Sequence, residues 1–93
     1  MYRDKLPDFK NKTVLFRMIN VEIDTAIENP LFEMLSGRLF VTGRMAEGSS
    51  QNDWLAGLAT SLAWDCVQGY VVFDSLEDYL ARASLAWSDK QFH

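Results

Sequence analysis

The chain has little of the chemistry that small enzymes and secreted domains use. It contains one cysteine, Cys66, and one histidine, His93, among 93 residues. A single cysteine cannot form an intramolecular disulfide, which excludes the disulfide-stapled class of small secreted domains. His93 is the last residue of the sequence, and a general base must be held within hydrogen-bond reach of its target. We therefore expect no Ser–His or Cys–His nucleophile and no enzymatic activity.

Ligand sets for metals and nucleotides are missing as well. One cysteine and one distant histidine cannot make a zinc site. The acidic residues are scattered except for Asp74, Glu77 and Asp78, which lie where a helix is predicted to begin, and a helix N-terminus favours acids on electrostatic grounds. The glycines do not form a phosphate-binding loop. The sequence predicts no metal and no cofactor.

Long uncharged runs are absent too. The longest stretch without a charged residue, Trp54 to Trp64, is about half the length that crosses a bilayer. The N-terminus does not lead into the apolar run of a signal peptide. We expect a cytoplasmic protein with no membrane partner.

Positive charge is scarce in the second half of the chain. Residues 1–44 carry seven basic and six acidic residues, whereas residues 45–93 carry two basic and seven acidic ones. Phosphate backbones are bound by clustered lysine and arginine. We therefore expect no nucleic-acid partner for this acidic chain.

What the chain does have is material for a core. Apolar residues make up 48% of it and aromatic residues 13%, which is typical of a folded chain rather than a disordered one. The length suits one domain spanning 1–93. We interpret residues 1–12 as an N-terminal arm that docks through Leu6 and Phe9 or frays, and residues 89–93 as a fraying tail.

Alternating apolar residues predict strands after the arm. Ile19, Val21, Ile23 and Ile27 alternate with polar residues, the period of a strand with one wet face. Glu28-Asn29-Pro30 is interpreted as a break. Residues 31–36 fit either the first strand of a hairpin that turns at Ser36-Gly37, which we favour, or a short helix with Gly37 as its C-cap. Residues 39–42 and 70–73 are predicted strands.

Two helices are predicted in the second half. The first runs over 51–67 behind a capping box formed by Ser50 and Asp53, and the second begins at Asp74. One face of the second helix carries Leu76, Tyr79, Leu80 and Ala83. The predicted fold is α+β, a small antiparallel or mixed sheet of three to four strands with two helices packed on one face, in the order β-β(-β)-α-β-α.

Helix 51–67 has too little polar surface for a helix on a monomer. Its core stripe would include Leu55, Leu58, Leu62 and Cys66, and a buried thiol there would be inert. The residues that we predict to form an interface lie elsewhere on the wheel: Trp54, Gly57, Thr60, Ser61 and Trp64. Glycine and serine allow close approach, and tryptophan is enriched at interface hot spots. On this interpretation a Trp64→Glu variant would lose association and stay folded. The alternative is that the C-terminal helix and its Trp87 cover this face within the monomer.

These observations favour a non-catalytic protein–protein interaction module, acting as an adaptor, inhibitor or assembly factor. We expect it to form a homodimer through the uncharged face of helix 51–67. The alternative is a small-molecule-binding domain, or a minor enzyme, with a pocket between sheet and helices that uses carboxylates with Tyr70 or Tyr79.

Overall fold

The computed structural model describes residues 6–47 and 54–91. Within them the chain forms five β-strands, one 3₁₀ turn and one α-helix. In chain order these are β1 (Thr13–Met18), β2 (Thr25–Leu35), β3 (Arg38–Met45), β4 (Ala59–Ala63), the 3₁₀ turn Trp64–Cys66, β5 (Val67–Phe73) and α1 (Leu76–Gln91). The strands form one antiparallel sheet in the order β4-β3-β2-β1-β5.

A short connection forces this sheet to roll up. β4 and β5 are its two edges, and in a flat sheet they would lie about 19 Å apart, because neighbouring strands are about 4.8 Å apart. The 3₁₀ turn Trp64–Cys66 joins them directly, and four residue steps of a 3₁₀ helix advance by only about 8 Å. The two edges must therefore curve towards each other, which gives the sheet an inner and an outer face.

Aromatic rings fill the inner face. The Phe9 ring lies 5.7 Å from the rings of Phe16 and Phe32 and 5.1 Å from that of Tyr70, measured between centroids. Trp64 extends the cluster at 5.0 Å from Phe32. Phe9 is buried at the centre of this network, so the N-terminal arm contributes a core residue rather than running free over the surface.

The helix α1 covers part of the outer face. Its residues Leu76, Tyr79, Leu80 and Ala83 pack with Leu15, Ala26, Ala46 and Phe73. The apolar face predicted for this helix is therefore confirmed. The helix begins one residue later than predicted. Ser75, rather than Asp74, caps its N-terminus, because Ser75 Oγ accepts a hydrogen bond from the Asp78 N–H at 3.0 Å.

The hairpin at Ser36-Gly37 is confirmed, and with it the strand reading of residues 31–36. Leu35 pairs with Arg38 across the turn, and Ser36 and Gly37 have φ of 52° and 78°. Two consecutive positive φ values define the type I′ turn, whose twist matches that of the strands it joins. The helical alternative is excluded.

The predicted break at residues 28–30 is wrong, because one long strand continues through it. The register of β2 against β3 shifts between Glu28 and Leu31, which is a β-bulge. Asn29 occupies the left-handed region at φ 48°, and its side-chain Oδ1 accepts a hydrogen bond from the Asn11 N–H at 2.8 Å. The bulge therefore ties the N-terminal arm to the sheet.

The strand predicted from the alternation over residues 19–27 is also wrong over residues 19–24. Residues 19–24 form the connection between β1 and β2, and Ile19, Val21 and Ile23 are exposed. Only from Thr25 does the segment pair with β1.

The predicted helix 51–67 is wrong. Its described part is a turn at 54–57, the strand β4, the 3₁₀ turn and the first residue of β5. Gly57 has φ of 80°, a conformation that cannot continue a right-handed helix, and Ser61 and Leu62 pair with Thr42 and Val41 of β3. Leucines and alanines repeat here in a way that fits a helical wheel, but pairing with β3 decides the conformation.

The predicted architecture is corrected accordingly. The sheet has five strands instead of three to four, and the described residues contain one α-helix instead of two. The α+β class is broadly right. The capping box predicted at Ser50 and Asp53 lies outside the described residues.

Gly43→Ala should destabilise the fold. A Cβ at this position would collide with Ile27 Cγ2 and lie 3.0 Å from the Glu28 carbonyl oxygen, so the strands at the bulge would have to separate. We expect a loss of about 1–3 kcal/mol in the free energy of unfolding, as in overpacked cores, measured by urea denaturation at low protein concentration.

Gly69→Ala is the matched control, because a Cβ there meets no atom within 4 Å. It should leave the free energy of unfolding unchanged or slightly raised. Equal losses in both variants would contradict the close approach at the bulge.

Candidate interaction surface

The five residues predicted to form an interface do not share a face. Trp54 and Gly57 lie in the turn before β4, where Trp54 is 73% exposed. Thr60 and Ser61 are consecutive in β4 and point to opposite sides of the sheet. Trp64 packs in the inner cluster against Phe32.

An ion pair holds the 3₁₀ turn on the neighbouring hairpin. Arg38 Nη2 lies 2.7 Å from Asp65 Oδ1 and Arg38 Nε 3.2 Å from Asp65 Oδ2, a bidentate contact. Arg38 lowers the pKa of the Asp65 carboxyl through these hydrogen bonds, and Asp65 in turn raises the pKa of Arg38. The half-buried Cys66 thiol lies beside them, with its Sγ 3.4 Å from Arg38 Nη2.

The edge of the sheet formed by β5 is the most unusual surface of the molecule. β5 pairs with β1 along one side, and within residues 6–47 and 54–91 no strand pairs with its other side. We call that other side the β5 edge. The exposed fractions of three consecutive residues in β5 are 43% for Tyr70, 54% for Val71 and 43% for Val72.

A β-bulge at Gln68, where the register of β5 against β1 shifts, interrupts one end of the β5 edge, but the regular stretch from Gly69 to Phe73 lacks the other devices that normally protect an edge strand. Proteins blunt such edges with charged residues, especially lysine, with proline, or by keeping the strand short. β5 is seven residues long, and its sequence VQGYVVF has no charged residue and no proline. An unpaired row of backbone N–H and C=O groups beside apolar side chains is a template for another strand.

The other edge of the sheet is a weaker template. β4 has five residues, Ala59 to Ala63, and Leu62 is its one large apolar side chain. Its residue Leu62 faces the inner cluster. The two edges therefore differ in length and in the apolar surface that they present.

A shallow depression lies on the outer face beside Val71. It is about 320 Å³ in volume and is lined by Leu15, Arg17, Asp24, Gly69, Tyr70 and Val71. Gly69 leaves its floor open, since no atom lies within 4 Å of the place where a Cβ would be. Arg17 Nε and Asp24 Oδ1 form an ion pair at 3.1 Å on its rim, and Asp24 raises the pKa of Arg17 through this contact.

The depression does not present a catalytic arrangement. Its carboxylate, Asp24, is held by Arg17, and the ring of Tyr70 packs against Phe9 and Trp64. Tyr79, the other tyrosine predicted as a candidate for chemistry, is a buried residue of α1, and its ring centroid lies 5.2 Å from that of Phe73. In the part of the chain that the structure describes, no three acidic, cysteine or histidine side chains group as a metal site would require.

The sequence carries part of the signal for this edge. The predicted strand covers residues 70–73, whereas the uncharged run begins at Cys66. Sequence periodicity does not indicate which strand of a sheet lies at its edge, so the sequence alone does not distinguish β5 from an interior strand.

Comparison of the chain with protein-family models, with curated proteins and with solved structures finds no match. Among the described residues, no helix is long and apolar enough to cross a membrane.

Trp64→Glu should destabilise the monomer, contrary to the expectation from the helical wheel. A carboxylate at this position would lie among the inner aromatic rings, and the loss of the indole alone removes contacts with Phe32 and Tyr70. We expect a loss of about 1–3 kcal/mol in the free energy of unfolding, less than for a fully buried core residue because Trp64 is partly buried. Thermal unfolding followed by circular dichroism measures it.

Trp54→Glu removes a tryptophan of the same predicted interface that is exposed in the structure. Its free energy of unfolding should change by no more than about 0.5 kcal/mol, as is usual for surface substitutions. A Trp64→Glu protein as stable as the wild type would contradict the packing of Trp64 against the inner aromatic cluster.

Proposed function

We propose that this chain is a small non-catalytic protein–protein interaction module that binds a strand of another polypeptide along the β5 edge. The observation that carries the proposal is the seven-residue edge strand without charge or proline, with Tyr70, Val71 and Val72 exposed along it. In such β-augmentation, backbone hydrogen bonds supply affinity and pockets for alternate side chains supply specificity.

The depression beside Val71 supports the same function. A strand added at the β5 edge would place alternate side chains on the outer face of the sheet. The depression has an open floor at Gly69 and an apolar wall at Leu15 and Val71. It is therefore suited to receive one apolar side chain of the added strand.

The rigid part of the module lies behind the edge. β5 pairs with β1 over six residue pairs, from Thr13–Phe73 to Met18–Val67, and β1 carries the buried side chains of Val14 and Phe16. A partner strand would thus bind to a strand that is already ordered, so little additional ordering of the edge is required.

A small-molecule or enzymatic role has less support. The open depression has a rim whose two charges neutralise each other, and an apolar ligand there would keep much of its surface in water. Drug-sized ligands are usually enclosed over most of their surface.

Photo-crosslinking tests the proposed function. With p-benzoylphenylalanine in place of Val71, irradiation of the cells that make the protein should give one dominant covalent adduct, because the reactive ketone would lie inside the interface. Mass spectrometry of the adduct then identifies the partner peptide, which we expect to be an extended apolar segment.

Leu31 is the control position, because it is an exposed aliphatic residue of an interior strand, 60% exposed in β2. The same photoreactive residue there should give no dominant adduct. Adducts at Leu31 without adducts at Val71 would place binding on another surface and contradict the proposal.

A further inference from the structure

We propose that the segment received by the β5 edge is a short run of uncharged apolar residues with lysine or arginine at both ends. This inference rests on the proposed function and names the chemistry of the partner. Three features of the surface carry it: the length over which β5 can pair, the apolar side chains on both of its faces, and the charge beside each of its ends.

The length of regular strand limits how many residues a partner can pair. β5 pairs with β1 without interruption from Gly69 to Phe73. The register shift at Gln68 ends this stretch on one side, and on the other side a bend at 74–75 leads into α1. A bulge disrupts the ladder and bends the strand, and a helix cannot continue it. The paired core of the partner is therefore no longer than the stretch from Gly69 to Phe73.

Both faces of this stretch present apolar side chains. Tyr70 is paired with Phe16 of the inner cluster. Val71 is paired with Leu15, which packs with α1 on the outer face. Opposed side chains in an antiparallel pair point to the same face, so Tyr70 and Val71 point to opposite faces, and both are exposed. A strand beside them would be covered on both faces, and such strands are continuous apolar runs rather than alternating ones.

A carboxylate without a partner lies beside the bulge end of β5. The connection 19–24 begins against β5, because the Ile19 N–H donates a hydrogen bond to the Cys66 carbonyl oxygen at 2.8 Å, and it ends at the rim of the depression. Glu22 is exposed in this connection. Within residues 6–47 and 54–91 it forms no ion pair, and both arginines near this end are already bound to aspartates.

The other end of β5 also carries one carboxylate in excess. Glu77 is exposed in the first turn of α1 and forms no ion pair among the described residues. Lys12 is bound to Asp74, and Arg82 is bound to Asp78, so neither base neutralises it. A helix N-terminus carries about half a positive charge, which the full charge of the Glu77 carboxylate exceeds.

The two carboxylates select the charge of the partner. Basic residues that flank the paired core would lie near Glu22 at one end and near Glu77 at the other, whereas acidic residues there would be repelled. A formal net charge of −4 acts in the same direction at longer range. The centre of the segment must be uncharged, because a charge beside the apolar edge would lose water without gaining a partner.

Fluorescence anisotropy with synthetic peptides measures this preference. The first probe is a fluorescein-labelled peptide with the centre Val-Ile-Val-Ala-Val and a pair of lysines at each end. A second probe has glutamates in place of the lysines, and a third keeps the lysines around a centre of serines. At low salt the first probe should bind about tenfold more tightly than the second, and high salt should reduce this ratio because it screens the charges. The serine-centred probe should show no measurable binding.

Charge reversal at the two carboxylates locates the effect. Glu22→Lys and Glu77→Lys, made separately, should each lower the ratio of the two affinities about threefold, and together they should reverse the preference. Glu33→Lys is the matched control, because it makes the same change in net charge on an exposed residue of β2, which β1 separates from β5. It should leave the ratio unchanged. Circular dichroism checks that all the variants are folded.

Other results would overturn the inference. Failure of the lysine-flanked probe to bind, or equal affinity for the lysine- and glutamate-flanked probes, would exclude basic ends. Equal binding of the serine-centred probe would exclude an apolar centre, and an equal effect of Glu33→Lys would show that net charge alone decides the ratio. An adduct of the photoreactive Val71 position with a segment that lacks basic ends would refute the inference and leave the proposed function intact, whereas the absence of any adduct there would contradict the proposed function itself.

Discussion

The three-residue connection between β4 and β5 is the constraint on which the rest of the structure depends. It joins the two edges of a five-stranded sheet, so the sheet must roll. Rolling creates a concave inner face that a chain of this length can fill, and the aromatic residues fill it, with Phe9 of the N-terminal arm at the centre and Trp64 of the connection itself packed against Phe32. The Arg38–Asp65 ion pair lies at the same turn.

The same constraint leaves the two edges of the sheet unpaired with each other. A rolled sheet that closed completely would have no edges, whereas here β4 and β5 are joined at one end only and no hydrogen-bonded ladder links them in the part of the chain that the structure describes. β5 follows the turn directly, carries no charge and exposes Val71. A partner strand bound along the β5 edge, as we propose, would form hydrogen bonds with the N–H and C=O groups of β5 that β1 leaves unpaired.

The local signals in the sequence predicted the elements that depend on local chemistry. Ser36 and Gly37 predicted a turn because few residues adopt positive φ, and the apolar face of α1 followed from helical spacing. The helix predicted over the segment from Trp54 to Cys66 is wrong. The leucines and alanines of this segment fit a helical period, but its conformation is set by pairing with β3, a contact that is distant in sequence. The predicted interface failed for the same reason: Trp64 and Ser61 share a helical face only if there is a helix. The idea of an uncharged contact surface remains, moved from that helix to β5.

Amide hydrogen exchange in β5, measured by nuclear magnetic resonance on the dilute protein, tests the central claim most directly. In the regular stretch from Gly69 to Phe73, alternate N–H groups point away from β1. If the β5 edge is open to a partner strand, those amides should exchange rapidly, while the alternate amides that are bonded to β1 are protected. Equal protection of all amides from Gly69 to Phe73 would show that the edge is already covered and would contradict the account.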